Sequence, residues 1–438
     1  MIAIILFILY FLLFLFALKK NPFFRKSGIS FNWLSLLFSF KILASILLVL
    51  IYTYYYTDRS KADIYKYFDD GNTIYQSLFE HPKSFLKIFT GIRLERTNEE
   101  INNILIKTHH FDKSGAGYFE SNNHLIIRTN IFFRFFSLGN IYIHALFFAM
   151  LSFIGILSVY KAFLSYFDKF PQILYLPLFL VPSVLFWGSG MLKETLLFFF
   201  LGILIQSSFK ILDFNSVFLN GFIALLSFIF IWQLKPFIAL SFIVSFYLMA
   251  VINFKGYWRI IVSLIASIGL LLFLYSHHTF FCEIVTSIIL KRNEFITLGL
   301  QVNAGSLFEK SLLPLDCSQI WNLLPQAFLN TFYHPFILDT GGSLFEKLFA
   351  IENTLLLLCI VYLAFKVQIL KGRKLQLFIF CISFSLMNYL IIGLSVPILG
   401  AIVRYKVIAL PFLLVSLLTL VNLNKIKCDI KLLVPFKK

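Results

Sequence analysis

The chain has 438 residues, of which 59% are hydrophobic and only 13% charged, with 56 phenylalanines. Soluble domains run at about 45–50% apolar and about 25% charged, so this composition excludes an ordinary soluble protein and points to a polytopic membrane protein. The formal net charge of +17 would suit nucleic acid in a soluble chain. Here the basic residues sit in short loops between apolar runs, as the positive-inside bias requires, and no basic domain exists to carry nucleic acid.

Taken in order, residues 2–18 form an apolar run followed by "KKNPFFRKS". A secretory signal would carry its charge before the run and a small-residue cleavage site after it, so the run reads as an uncleaved helix with its C-terminal end in the cytoplasm. Further spans are expected near 31–56, 139–164, 172–188, 194–211, 216–233, 237–254, 259–276, 351–370, 375–395 and 404–422. The expected fold is therefore an all-α transmembrane bundle of about eleven spans, each needing about 20 residues. Lys19, Lys20, Arg25, Lys26, Lys169, Lys210, Lys255, Arg259, Lys371, Arg373 and Lys374 then fall on the inside, along with the basic tail. That pattern places the N-terminus outside and the C-terminus inside a bacterial cytoplasmic membrane. Three regions follow: an N-terminal span with its basic loop (1–29), the main transmembrane domain (30–422) and a basic tail (423–438).

Two long segments, 57–138 and 277–350, land outside and hold 16 of the 21 acidic residues. Loops this long usually serve a function, and "SFLKIFTGI" and "CEIVTSIIL" suit helices lying at the membrane surface. Cys282 and Cys317 share the second loop and are able to pair. Cys359 and Cys381 fall in apolar spans, Cys428 in the tail, and no metal-binding His/Cys spacing occurs.

Ionisable groups near a bilayer are costly and call for a reason. "DIYKYFDDG" places Asp63 and Asp70 seven residues apart, on one side if helical, with Asp69 adjacent. Such carboxylates either accept a proton from a hydroxyl or hold a divalent cation (Mg or Mn), or belong to a solvated loop and helix start. In "VPSVLFWGSGMLKETLLFF", exposed N–H groups of the Gly-Ser-Gly turn with Lys193 suit an anion, Glu194 follows, and a tight re-entry turn is the plainer reading. Lys235 in "WQLKPF", and Arg404 and Lys406 in "GAIVRYKVIALPF", are outer cations that run against the topological bias; each suits either phosphate contact or anchoring. His277 and His278 close a span at the same face. Lys41 lies a third of the way into its span and is expected to snorkel inward.

At these residues the chain resembles the membrane-embedded GT-C glycosyltransferases that use polyprenyl-phosphate sugars. The likeness covers the plan of about 30–420: an early span, an external loop opening with "DIYKYFDDG", surface helices, more spans and a late external loop. It implies an inverting transfer to a glycan, lipid or protein acceptor. Asp63 would activate the acceptor, and Lys193, Lys235 and Arg404 would hold the polyprenyl phosphate. The alternatives are an O-antigen-type polymerase or ligase, and a non-enzymatic transporter or envelope scaffold.

Overall fold

Apolar runs become long helices where nothing interrupts them, and shorter pieces where proline does. The structure, a computed structural model, describes residues 1–56, 58–59, 62–92, 94, 98–111, 123–167, 170–253, 261, 269, 278–301, 306–308, 310–338 and 344–421. The tail 423–438, nearly all of the expected span 259–276, Lys169, Lys255, Arg259 and His277 lie outside the described residues. The described residues are all-helical and contain no strand; two isolated bridges pair Leu307 with Ile398 and Val367 with Val421. Among them, six helices are long and apolar enough to cross a membrane, or seven if one bent pair counts as a single span.

The chain divides into two compact units, Met1–Ala239 and Leu240–Lys438. In the first, α1 (Ile2–Lys20), the short α2 (Pro22–Arg25) and α3 (Phe31–Leu50) lead into a layer of shorter helices. That layer consists of α4 (Asp63–Glu80), α5 (Pro82–Thr90), α6 (Glu99–Ile106) and α7 (His124–Ser137). The chain then returns through α8 (Ile141–Phe163), α9 (Pro182–Trp187), α10 (Lys193–Leu212) and α11 (Val217–Leu234). α12 (Pro236–Asn253) crosses the division. The second unit holds α13 (His278–Gln301), α14 (Gln319–Tyr333), α15 (Leu344–Ala364), α16 (Arg373–Ser395), α17 (Leu399–Lys406) and α18 (Leu410–Leu420).

α8 is the spine of the first unit and packs on α10, α3 and α1. Its approach to α10 is backbone to backbone. A Cβ on Gly155 would collide with the Phe198 carbonyl, and one on Gly202 with the Gly155 carbonyl. Without a hydrophobic drive between helices in lipid, such small-residue contacts supply the packing. At its N-terminus α8 is capped by Asn140, whose Oδ1 accepts the N–H groups of Tyr142 and Ile143 at 3.0 and 3.3 Å. One turn on, buried His144 ties α8 to α7. Its Nδ1 lies 2.9 Å from Asn130 Oδ1 and its Nε2 2.8 Å from Ser137 Oγ. Asn130 gives its own amide hydrogen to Ile126 O, so its oxygen accepts from Nδ1–H and the Ser137 hydroxyl donates to Nε2.

Two expected spans are broken. Residues 172–188 form a 3-10 turn (Pro171–Leu174), a π turn (Leu176–Leu180) and α9, not one helix. Pro171, Pro177 and Pro182 each remove a donor and clash with the preceding turn, which is the physical reason. The last span, expected over 404–422, is the bent pair α17 and α18, with 60° between them, and Pro411 opens the second piece. The expected surface segment "CEIVTSIIL" lies inside the 24-residue α13, whereas "SFLKIFTGI" forms the amphipathic α5, burying Ser84, Phe85 and Ile88.

Candidate functional site

α3 is mostly apolar, with Lys41 its one charged residue, and does not stop at Leu50. It runs on through a π turn, Ile51–Tyr55, into the aromatic cluster Tyr52, Tyr54, Tyr55 and Tyr56, the residue type that gathers where hydrocarbon meets water. α4 starts shortly afterwards with Asp63 as its first residue, where a carboxylate complements the positive helix end. It is amphipathic and buries Ile64, Tyr65, Tyr67, Phe68, Gly71 and Ile74. Gly71 lets it lie against α7, because a Cβ there would stand 3.0 Å from Asn130 Cβ.

The three aspartates of α4 meet three different fates. Asp70 is fully buried and its carboxylate accepts three consecutive backbone N–H groups: His109 at 2.6 Å, His110 at 2.7 Å and Phe111 at 2.9 Å. It fixes the chain after α6 onto α4 and has no face left for a substrate. Asp69 is gripped by Arg59 through two parallel bonds, Nε at 2.9 Å and Nη2 at 2.5 Å, while the guanidinium lies 4.0 Å over the Tyr65 ring. Those hydrogen bonds hold the Arg59 pKa above its ordinary value. Asp69 and Asp70, expected to share in acid–base work, are thus positioning residues.

Asp63 differs. Its side chain is 32% exposed and lies 3.7 Å from His110 Nε2. His110 is placed by the Asp70 cradle, and its ring faces Tyr67 at 5.7 Å between centroids. Asn123 braces the same corner: Tyr67 Oη lies 3.4 Å from its Oδ1, and its amide nitrogen donates to His110 O at 3.4 Å. His124 closes the back, its Nε2–H donating to Phe111 O at 2.7 Å with the two rings stacked. The expectation that Asp63 and Asp70 face one side is met, since both reach the 109–111 segment. Neither Arg59 nor His110 was picked out by sequence reasoning. The doublet His109–His110 in an acidic, membrane-flanking segment was the available signal.

The expected anion-binding turn proves to be interior. Gly188, Ser189, Gly190, Met191 and Leu192 are all buried, so their N–H groups are not offered to solvent. The turn docks on α3: a Cβ on Gly190 would strike the Leu48 side chain. Lys41 does not snorkel. It is fully buried, and its Nζ donates to Ser152 Oγ at 2.8 Å, Gly188 O at 3.3 Å and Ser189 Oγ at 3.3 Å. Glu194, also fully buried, pairs with Lys235 at 3.0 Å, and Lys193 is 7% exposed. The structure therefore brings Glu194 and Lys235, two of the residues expected to bind substrate, together as an internal ion pair, with Lys193 buried beside Glu194 in the chain.

In the second unit Arg404 is partly exposed with its guanidinium 6.0 Å from the Tyr405 ring. Lys406 is buried and donates to Asn353 Oδ1 at 2.9 Å and His334 O at 3.1 Å. His278 opens α13. Cys282 and Cys317 form a disulfide with their Cα atoms 5.1 Å apart.

Among the described residues no three His, Cys, Asp or Glu side chains gather to hold a metal. No protein-family model matches the chain, and neither a curated protein nor a solved structure is similar to it.

Proposed function

We propose that the protein is a membrane glycosyltransferase of the GT-C type that moves a sugar from a polyprenyl-phosphate donor to a cell-envelope acceptor. The observation that carries this reading is the Asp63–His110 pair: one part-exposed carboxylate, 3.7 Å from an imidazole, at the start of the amphipathic α4 just past the end of α3. The two neighbouring acids are spent on keeping it there. In the proposed step the acceptor hydroxyl oxygen attacks the anomeric carbon, and Asp63 takes the hydroxyl proton. The bond from that carbon to the phosphate oxygen breaks, and the polyprenyl phosphate leaves with the electron pair, inverting the configuration. His110 orients the Asp63 carboxylate. Arg59 spends two of its five N–H donors on Asp69, is more than half exposed, and has three donors left for the departing phosphate.

The same proposal carries the orientation. The Cys282–Cys317 disulfide belongs to an oxidising compartment, which supports placing segments 57–138 and 277–350 outside the cytoplasmic membrane, with the N-terminus out and the C-terminus in. The aromatic cluster at 52–56 and the basic residues at 19–26 mark opposite ends of α3 in the sense this requires. Further crossings by α12, by 259–276 and by α15 would bring the span count toward the eleven read from the sequence.

The decisive experiment replaces Asp63 with Asn and measures transfer from a polyprenyl-phosphate sugar in detergent or vesicles. Loss by about a hundredfold or more is expected for removal of a general base, with helical content and elution volume unchanged. Full activity in Asp63→Asn removes the carboxylate from the mechanism. Accumulation of single repeat units in a deletion strain would instead indicate a polymerase.

A further inference from the structure

Leu18 is the one fully buried residue of α1, and Tyr10 fastens the helix to its neighbours. Tyr10 Oη donates to Phe136 O at 3.0 Å and the Tyr10 ring packs edge-on against Phe147 at 4.9 Å. Phe14 reaches Phe38 and Phe147 at 6.1 and 5.8 Å. The first two turns of α1 precede Tyr10. There a cavity of about 210 Å³ opens between Ala3, Ile4 and Phe7 of α1, Ile46 of α3, and Asn140 and Tyr142 at the start of α8. Its walls are almost wholly apolar, with the two polar residues contributed by α8 alone.

Resting on the glycosyltransferase reading, we infer that this slot receives the isoprenoid chain of the polyprenyl-phosphate donor, which enters sideways from the bilayer past the first turns of α1. An apolar void flanked by lipid-facing residues competes for hydrocarbon, not for water, because a dry cavity forfeits packing contacts that a chain restores. The choice of a substrate chain over a bystander lipid rests on where the slot leads. Ile46 precedes Tyr55, the last residue of the π turn, by nine residues, a rise of about 13 Å at helical spacing. Thr53, in that π turn, is hydrogen-bonded to the Tyr65 hydroxyl. The Tyr65 ring carries the Arg59 guanidinium 4.0 Å above it, and Asp63 is two residues before Tyr65. A chain seated in the slot therefore brings its phosphate to Arg59 and its sugar to Asp63. The first helix, an addition to the GT-C plan, acquires a purpose as one wall of the donor entrance.

The test uses the full-length protein in vesicles with two photoreactive probes, a diazirine-bearing polyprenyl phosphate and a diazirine-bearing phosphatidylethanolamine. Labelling of the peptides that contain Phe7 and Ile46 by the first probe is expected, competed by unlabelled polyprenyl phosphate but not by phospholipid. Ile46→Trp fills the slot and should lower this labelling and raise the donor KM about tenfold with kcat retained, the signature of lost uniform binding. Ala3→Trp, on the exposed end of α1, repeats the measurement should Ile46→Trp not fold. Equal labelling by the phospholipid probe, labelling by the first probe only elsewhere, or an unchanged donor KM in a folded slot variant overturns the inference. The two readings fail separately. Slot labelling with no sugar transferred from any donor leaves the lipid site standing and removes the transferase. Transfer abolished by Asp63→Asn with no labelling of the slot does the reverse.

Discussion

The layer α4–α7 and the buried turn 188–195 both hide charges, and they neutralise them differently. Asp70 is matched by three backbone N–H groups, which consumes no other ionisable side chain. In the turn, Glu194 is matched by Lys235 and Lys41 by two hydroxyls and a carbonyl. Nothing there faces solvent. Charge deep among spanning helices is ordinarily presumed functional, yet here the interior charges Lys41, Glu194 and Lys235 are matched by protein groups, whereas Asp63 keeps a part-exposed face.

Substitutions sharpen this contrast. The largest effect on stability is expected from Asp70→Leu, which strands three backbone N–H donors, that of Phe111 fully buried, at up to about 1–3 kcal/mol each. The variant should fail to elute as a folded species in detergent. Glu194→Gln comes next: it leaves the Lys235 ammonium without the carboxylate it faces, at a cost of about 3–5 kcal/mol read as a lowered unfolding temperature. The double change Glu194→Met with Lys235→Met should recover most of that loss, since apolar replacements of buried pairs are often neutral. A double variant as unstable as the single one would mean that the turn needs its charges for something beyond mutual compensation. The smallest stability change belongs to Arg59→Ala, within about 1 kcal/mol because the pair is largely exposed. Its transfer activity should nevertheless fall, and the two measurements together distinguish a ligand contact from a brace. The pH dependence of that pair has a definite sign. Arg59 is raised in the folded protein, so its contribution is intact at neutral pH and is lost only as strong alkali removes the proton.

Much of the helical plan was legible from apolar length alone. α1, α3, α8, α10, α11 and α16 occupy the expected runs because length and composition suffice to set a span. The region 172–188 is expected as continuous on total hydrophobicity, but Pro177 and Pro182 within it and Pro171 just before it break it. The acids of "DIYKYFDDG" were conspicuous, but their roles depend on partners. His109–Phe111 lie about forty positions further along the chain, and only the fold brings their N–H groups to Asp70. Glu194 and Lys235 are 41 residues apart, and each alone looks like an ordinary span-flanking charge. Snorkelling of Lys41 failed as an expectation because Ser152 and Ser189, both within apolar runs, meet it inside.

The Cys282–Cys317 bridge closes a loop of 35 residues, a length at which such a closure contributes about 3–4 kcal/mol in the chain-entropy view. Buffers for this protein are best prepared without dithiothreitol or mercaptoethanol, even though buried Cys381 would tempt a biochemist to add them. A preparation that has lost that tie would report the behaviour of a loosened second unit and be mistaken for an intrinsically fragile one.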